Sequence, residues 1–210
     1  MFRTPSILPW LFPTLIWRIE TASKELFLTF DDGPIAGPTE FVLDALNQFN
    51  AKATFFCIGD NIKKHQDVFK RIVAEGHLIG NHTHNHLKGW NTSVEKYSSN
   101  IKECANQIRL VSPDAKVELF RPPYGRIKNS QVKAVQLNYK IIMWDVLTSD
   151  YSKSVSRERC LRGSIQATRP GSIIVFHDSL KAKRNMEYTL PRYLEHFVNL
   201  GYSFKVLNFD

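Results

Sequence analysis

With 210 residues, and 28 Lys and Arg against 20 Asp and Glu, the chain carries a formal charge of +8 and has the length of one ordinary to large domain. Its 43% hydrophobic and 12% aromatic residues, with ten glycines and ten prolines, exclude a disordered, collagen-like or disulfide-scaffold chain. Cys57, Cys104 and Cys160 lie far apart with no Cys-x-x-Cys pair, and they read as buried, reduced thiols.

The chain opens on an apolar stretch, residues 7–17 (ILPWLFPTLIW). It is shorter than the roughly 18 apolar residues of a membrane span, is interrupted by Pro9 and Pro13, and lacks a small-residue cleavage site. Residues 1–23 are therefore expected to pack on a domain formed by residues 24–210, with a membrane-interface contact by residues 7–17 as the alternative. With no cleavable signal and unpaired cysteines, a cytoplasmic location is favoured over an extracytoplasmic one. Lys and Arg are spread along the chain, with one dense cluster at Lys181, Lys183 and Arg184. The charge reads as a solvated surface, and no nucleic-acid partner is expected.

Seven short apolar runs follow, at residues 25–30, 53–56, 77–80, 117–120, 139–144, 172–176 and 202–207. They are rich in β-branched and aromatic residues and often bounded by Gly or Pro, as buried strands are. Between them, apolar residues recur at helical spacing: Phe41 to Phe49, Ile62 to Val73, and about residues 94–110, 130–137, 156–167 and 186–200. Thr39 is placed to cap the first helix, and Gly76 and Gly201 to end the second and the last. This alternation predicts one α/β domain with a parallel sheet, closed or nearly closed into a barrel. No Gly-rich phosphate loop is present.

The chemistry-bearing residues follow the ends of the predicted strands, which a parallel barrel gathers on one rim. Asp31 and Asp32 end the first. Adjacent carboxylates raise each other's pKa in a low dielectric, and a cation relieves the conflict. If the chain stays extended, their side chains diverge, one toward a metal and one toward a reacting water; a helix cap or turn pair is the structural alternative. His82, His84 and His86 follow the third run. Two imidazoles and a carboxylate hold a metal while leaving a position open for water.

Arg121, before Pro122-Pro123-Tyr124-Gly125, can grip a carboxylate such as Asp31 in a bidentate pair. The rigid turn can offer a backbone N–H to a developing oxyanion, a plain surface turn being the alternative. His177 closes an apolar strand, where it can serve as a proton donor oriented by Asp150 or Asp178, or as a satisfied structural histidine.

In this order, Thr29-Phe30-Asp31-Asp32-Gly33-Pro34, His82-Thr83-His84-Asn85-His86, Arg121-Pro122-Pro123-Tyr124-Gly125 and Val175-Phe176-His177-Asp178 resemble the motifs of polysaccharide deacetylases of carbohydrate esterase family 4, the NodB-homology domain. The resemblance spans residues 24–206. It implies a distorted (β/α) barrel of seven to eight strands and a divalent metal, usually Zn2+ with Co2+ or Ni2+ as alternatives, held by Asp32, His82 and His86. It also implies Asp31 as general base, His177 as general acid, and the backbone N–H of Tyr124 at the oxyanion. Arg121 and Asp150 would support the base and the acid, with Pro123, Tyr151 and Val175 beside the substrate. His84 falls at a variable position and is not carried over as a ligand.

The implied reaction is hydrolysis of N-acetyl groups on an N-acetylhexosamine glycan of chitooligosaccharide or peptidoglycan type. Alternatives are O-acetyl hydrolysis on a polysaccharide such as acetylxylan, or a catalytically silent carbohydrate- or metal-binding barrel. Two departures stand out. Leu147 and Tyr151 occupy positions where the family's fourth motif has Asp and Trp, and Val175 stands where Leu is usual, which changes the wall around the acetyl methyl.

Overall fold

The computed structural model describes residues 2–209. In chain order its elements are α1 (Ile7–Leu11), β1 (Glu25–Asp31), α2 (Pro38–Gln48), β2 (Ala53–Cys57), α3 (Gly59–Lys64), α4 (Gln66–Ala74), β3 (Leu78–Asn81), α5 (Val94–Val111), β4 (Leu119–Phe120), α6 (Asn129–Val135), β5 (Lys140–Ile141), β6 (Val146–Leu147), α7 (Arg157–Ala167), β7 (Ile173–His177), α8 (Lys183–Asn199) and β8 (Ser203–Phe204). Strand β1 shows why the run Glu25 to Asp31 is almost wholly buried. Its side chains alternate between two covered faces. Leu26, Leu28 and Phe30 join the core beneath the helices, while Phe27 joins the barrel interior with Phe56, Leu119, Ile142 and Ile173. Burying each such side chain contributes about 1.5–3 kcal/mol.

The strands run parallel in the order β5-β4-β3-β2-β1-β7-β6, and β8 pairs with the start of β1. The end strands β5 and β6 do not pair with each other among the described residues, so the sheet curls into a half-barrel. Residues 2–19 lie along the opening. Ile16 bridges to Ile142: its N–H donates to the Ile141 carbonyl at 2.9 Å, and its carbonyl accepts the Met143 N–H at 2.6 Å. Arg3 pairs with Val146, and the Leu147 N–H donates to the Phe2 carbonyl at 2.9 Å. Leu15 and Trp17 pack with Tyr97, Phe120 and Met143. No helix among the described residues is long and apolar enough to cross a membrane.

Each of the seven apolar runs contains a strand, and β6 is an eighth, two residues long and too short to show a period. The helix expected from Ile62 to Val73 is two, α3 and α4, broken at His65, whose φ of −128° leaves the helical region. Thr39 is not the cap of α2. Gly37 precedes that helix, its N–H donating to the Glu40 carboxylate at 2.7 Å, while the Thr39 hydroxyl is turned inward to Asp178 at 2.6 Å. Gly76 and Gly201 do follow α4 and α8, with φ of +75° and +77°.

Candidate active site

The inward face of β1 reads Phe27, Thr29, Asp31 from floor to mouth, and on neighbouring β7 it reads Ile173, Val175, His177. These residues are register partners, so Asp31 and His177 stand side by side where the two strands end. Between floor and mouth lies Arg121, 0% exposed. Its Nη1 donates to the Thr29 hydroxyl and to Asp31 Oδ1, both at 2.7 Å. Nε and Nη2 donate to the Ile142 and Met143 carbonyls at 3.2 and 2.9 Å, and the guanidinium lies 4.1 Å from the centre of the Phe56 ring. The bidentate clamp on Asp31 is therefore replaced by a single short contact, because the rest of the fork holds the backbone after β5. Burial opposes the charged form of Asp31, but Arg121, with His82 and His177, holds its carboxyl below the usual range.

The chain does not stay extended after Asp31. Asp32 has φ +84°, which swings its carboxylate toward the histidine loop. That turn is fixed from behind: Asn61 Nδ2 donates to the Asp32 carbonyl at 2.7 Å, and the Gly33 N–H donates to Asp178 Oδ1 at 2.9 Å. Asp178 thus secures the aspartate turn, not His177. Its burial pushes the carboxyl up to about 7 against the hydrogen bonds from Thr39 and Gly33.

His82 and His86 meet through neither helix nor strand. Thr83 and His86 take positive φ of 66° and 55°, folding the loop so that the two rings lie 5.1 Å apart. Asn100 on α5 secures the loop, its Oδ1 accepting the N–H groups of His84 and Asn85 at 2.9 and 3.2 Å. His84 points away, its Nε2 3.4 Å from Glu103.

One oxygen of Asp32 stands 3.3 Å from His86 Nε2 and 3.9 Å from His82 Nε2, and the three donor atoms lie within 4.8 Å of one another. Donors held about 2.0–2.2 Å from one tetrahedral ion are themselves roughly 3.3–3.6 Å apart; the Asp32–His86 spacing matches that, the Asp32–His82 spacing is slightly wider, and the set as a whole can hold a divalent cation. His82 Nδ1 lies 2.8 Å from the Arg121 carbonyl and must carry the proton, which leaves the Nε2 lone pair facing Asp32. Burial, with His82 as a competing site for a proton alongside, pushes His86 down to about 4, and burial lowers His82 as well. Both rings are therefore neutral near pH 7, as metal ligands must be.

His177 Nδ1 is 2.8 Å from Asp150 Oδ1, and its backbone N–H donates to Asp150 Oδ2 at 2.8 Å. Burial disfavours the imidazolium, but Asp150, Asp32 and Asp31 outweigh it and raise His177 to about 9. Tyr151 packs edge-on against His177 at 4.9 Å. Tyr124 adopts φ +60° in a short turn and packs on His86 at 4.6 Å. A cavity of about 450 Å³ gathers Asp31, Asp32, His82, His86, Tyr124, Tyr151, Val175 and His177. Pro123 is buried in its turn and Asp150 behind His177, outside that lining.

Nothing in the sequence marks Asn61, Asn100, Trp144 or Lys181 as part of this site. The asparagines act on loops distant in sequence. Trp144 and Lys181 line the cavity but belong to no motif.

A half-barrel carrying such a rim is the architecture of a hydrolase family, and the comparisons with known proteins agree. The family model described as polysaccharide deacetylase matches residues 18–142. A peptidoglycan-N-acetylglucosamine deacetylase of Bacillus cereus is 39% identical over 74% of this chain, which spans only 56% of that relative's length. A second one from Bacillus cereus is 31% identical, with 90% of this chain and 88% of that relative aligned. A solved peptidoglycan N-acetylglucosamine deacetylase superposes with a TM-score of 0.88 at 31% identity, covering 97% of this chain and 95% of that one. The chain belongs to the polysaccharide deacetylase family, whose deacetylases are metal-dependent.

Proposed function

We propose that this chain is a metal-dependent deacetylase that hydrolyses the N-acetyl groups of an N-acetylglucosamine-containing glycan and releases acetate. The reading is carried by one juxtaposition: Asp31 and His177, adjacent at the ends of β1 and β7, open into the same cavity as the Asp32, His82 and His86 donors. A protein that only bound metal or sugar would need neither of the first two. The names of the relatives, peptidoglycan-N-acetylglucosamine and chitooligosaccharide deacetylases, support the substrate class.

Asp32, His82 and His86 would hold the cation. Two imidazoles and one carboxylate favour Zn2+, and Co2+ or Ni2+ suit the same donors. When bound, such an ion supplies Lewis acidity to a water and to the acetyl carbonyl. Asp31, kept ionised by Arg121, accepts a proton from the attacking water. As the C–N bond breaks, His177, kept protonated by Asp150, delivers a proton to the departing amine. The Tyr124 N–H, in the turn beside the cavity, would donate to the carbonyl oxygen as it gains charge. Water is added across the amide, giving one acetate and one free amine. Tyr151 and Val175 would form the wall against the methyl.

The test is acetate release from N-acetylglucosamine oligomers and from acetylated xylan, with and without chelator. Release from the oligomers alone, lost on chelation and in Asp31→Asn, is the expected result. Release only from xylan would overturn the amide assignment.

A further inference from the structure

Beside the catalytic cavity lies a second one of about 350 Å³. Leu8, Phe12 and Trp17 of the N-terminal segment line it together with Val132 and Met143. Tyr124, Gly125, Trp144 and Leu147 line both cavities, so the two adjoin.

Much of the lining of this second cavity is apolar, and several of its polar groups are already engaged. Trp17 Nε1 donates to the Phe12 carbonyl at 3.2 Å and Trp90 Nε1 to that of Ile127 at 3.3 Å. The Thr4 hydroxyl donates to the Trp144 carbonyl at 2.7 Å, and Arg3 Nε and Nη2 both donate to the Ala167 carbonyl. A sugar ring entering here would find few partners for the hydroxyls it takes out of water, chiefly Tyr124, Trp144 and Asn129, whereas a hydrocarbon gains from every group it buries.

We propose that this cavity receives a hydrocarbon chain carried by the sugar, so that the chain acts on an amphiphilic N-acetylated sugar. The sugar half of this statement rests on the deacetylase reading. Leu147, one of the two departures in the family's fourth motif, puts an apolar side chain where a carboxylate is expected, at the junction between sugar and tail. Helix α1 buries none of its residues and leaves Ile7 and Trp10 52% and 74% exposed. A tail longer than the cavity would leave over an apolar rim.

Calorimetric titration with methyl, hexyl and octyl glycosides of N-acetylglucosamine, below micelle-forming concentrations, tests the proposal. Each methylene entering the cavity tightens binding by up to roughly fourfold, so hexyl is expected to bind at least about 30-fold tighter than methyl. Val132→Phe, which fills the cavity, and Leu8→Lys, which makes it polar, should erase that gain while leaving turnover of soluble N-acetylglucosamine oligomers unchanged. Equal affinity for methyl and hexyl glycosides, or a chain-length gain that survives both variants, overturns the proposal. So does self-association that Leu8→Lys abolishes, which would assign the cavity to a second copy. A gain that the variants erase, with no acetate released from any glycoside, would support the cavity and sink the deacetylase reading instead.

Discussion

Asp150 accepts from His177 twice, through the ring Nδ1 and through the backbone N–H, each at 2.8 Å. One carboxylate therefore sets both the orientation and the charge of the ring. His177 is raised to about 9, so its acid form is complete at neutral pH and lost as pH climbs through that value. Asp150→Asn keeps the shape but removes the charge. The alkaline limb of the kcat/KM profile should then move down in pH, with turnover at pH 8 falling about 10²-fold or more. An unchanged limb would detach His177 from proton donation.

Arg121 neutralises Asp31 in a fully buried setting. Arg121→Met leaves a carboxylate and two carbonyls without their donors, and removing one partner of a buried pair costs about 3–5 kcal/mol. Urea unfolding should show a loss of that order. Asp31, no longer held low, should move the acidic limb of activity to higher pH. Arg121→Lys restores the charge without the fork and should fall between the two.

The donor triad predicts a sharp division among three histidines. Elemental analysis should find one divalent ion per chain in the parent and in His84→Ala, and less than a tenth of that in His82→Ala and His86→Ala. Adding metal at about 100 times its dissociation constant stabilises the fold by about 2.7 kcal/mol. For a chain of this length, that is a rise in Tm of roughly 5–10 °C. His84→Ala should keep the shift and His86→Ala should lose it.

His77, 7% exposed, accepts the Ala53 N–H at Nδ1. Burial, with Lys52 nearby, pushes it down to about 4. Unfolding restores its ordinary affinity for a proton, so the unfolded chain binds more protons between about pH 6.5 and 4, and stability falls as pH falls through that window. The loss from this residue should be about 2 kcal/mol after solvent screening. His77→Gln should flatten the dependence of Tm on pH there while lowering Tm at pH 7.

The strands and the four strand-end motifs were legible because a strand buried on both faces must be an unbroken apolar run, and the polar residues ending it stand out. What escaped was set by contacts distant in sequence. The two-residue β6 has no period of its own. Thr39 has the chemistry of a cap but is drawn to Asp178, 139 residues away. The bidentate clamp expected of Arg121 gave way because the Ile142 and Met143 carbonyls also needed donors. The meeting of His82 with His86 depends on left-handed residues at Thr83 and His86 that no spacing rule supplies. Asn100, which ties that loop, looks in the sequence like any polar residue on a helix.

The seam where Ile16 lies against Ile142, and Arg3 against Val146, has a consequence for shortened versions of the protein. A chain begun after residue 23 would present two raw strand borders to solvent, with Trp17's neighbours Phe120 and Met143 uncovered beside them. Borders of that kind recruit one another. Such a fragment should precipitate or form ladders of like molecules even though every rim residue remains, and adding back a peptide of residues 2–19 should return it to solution.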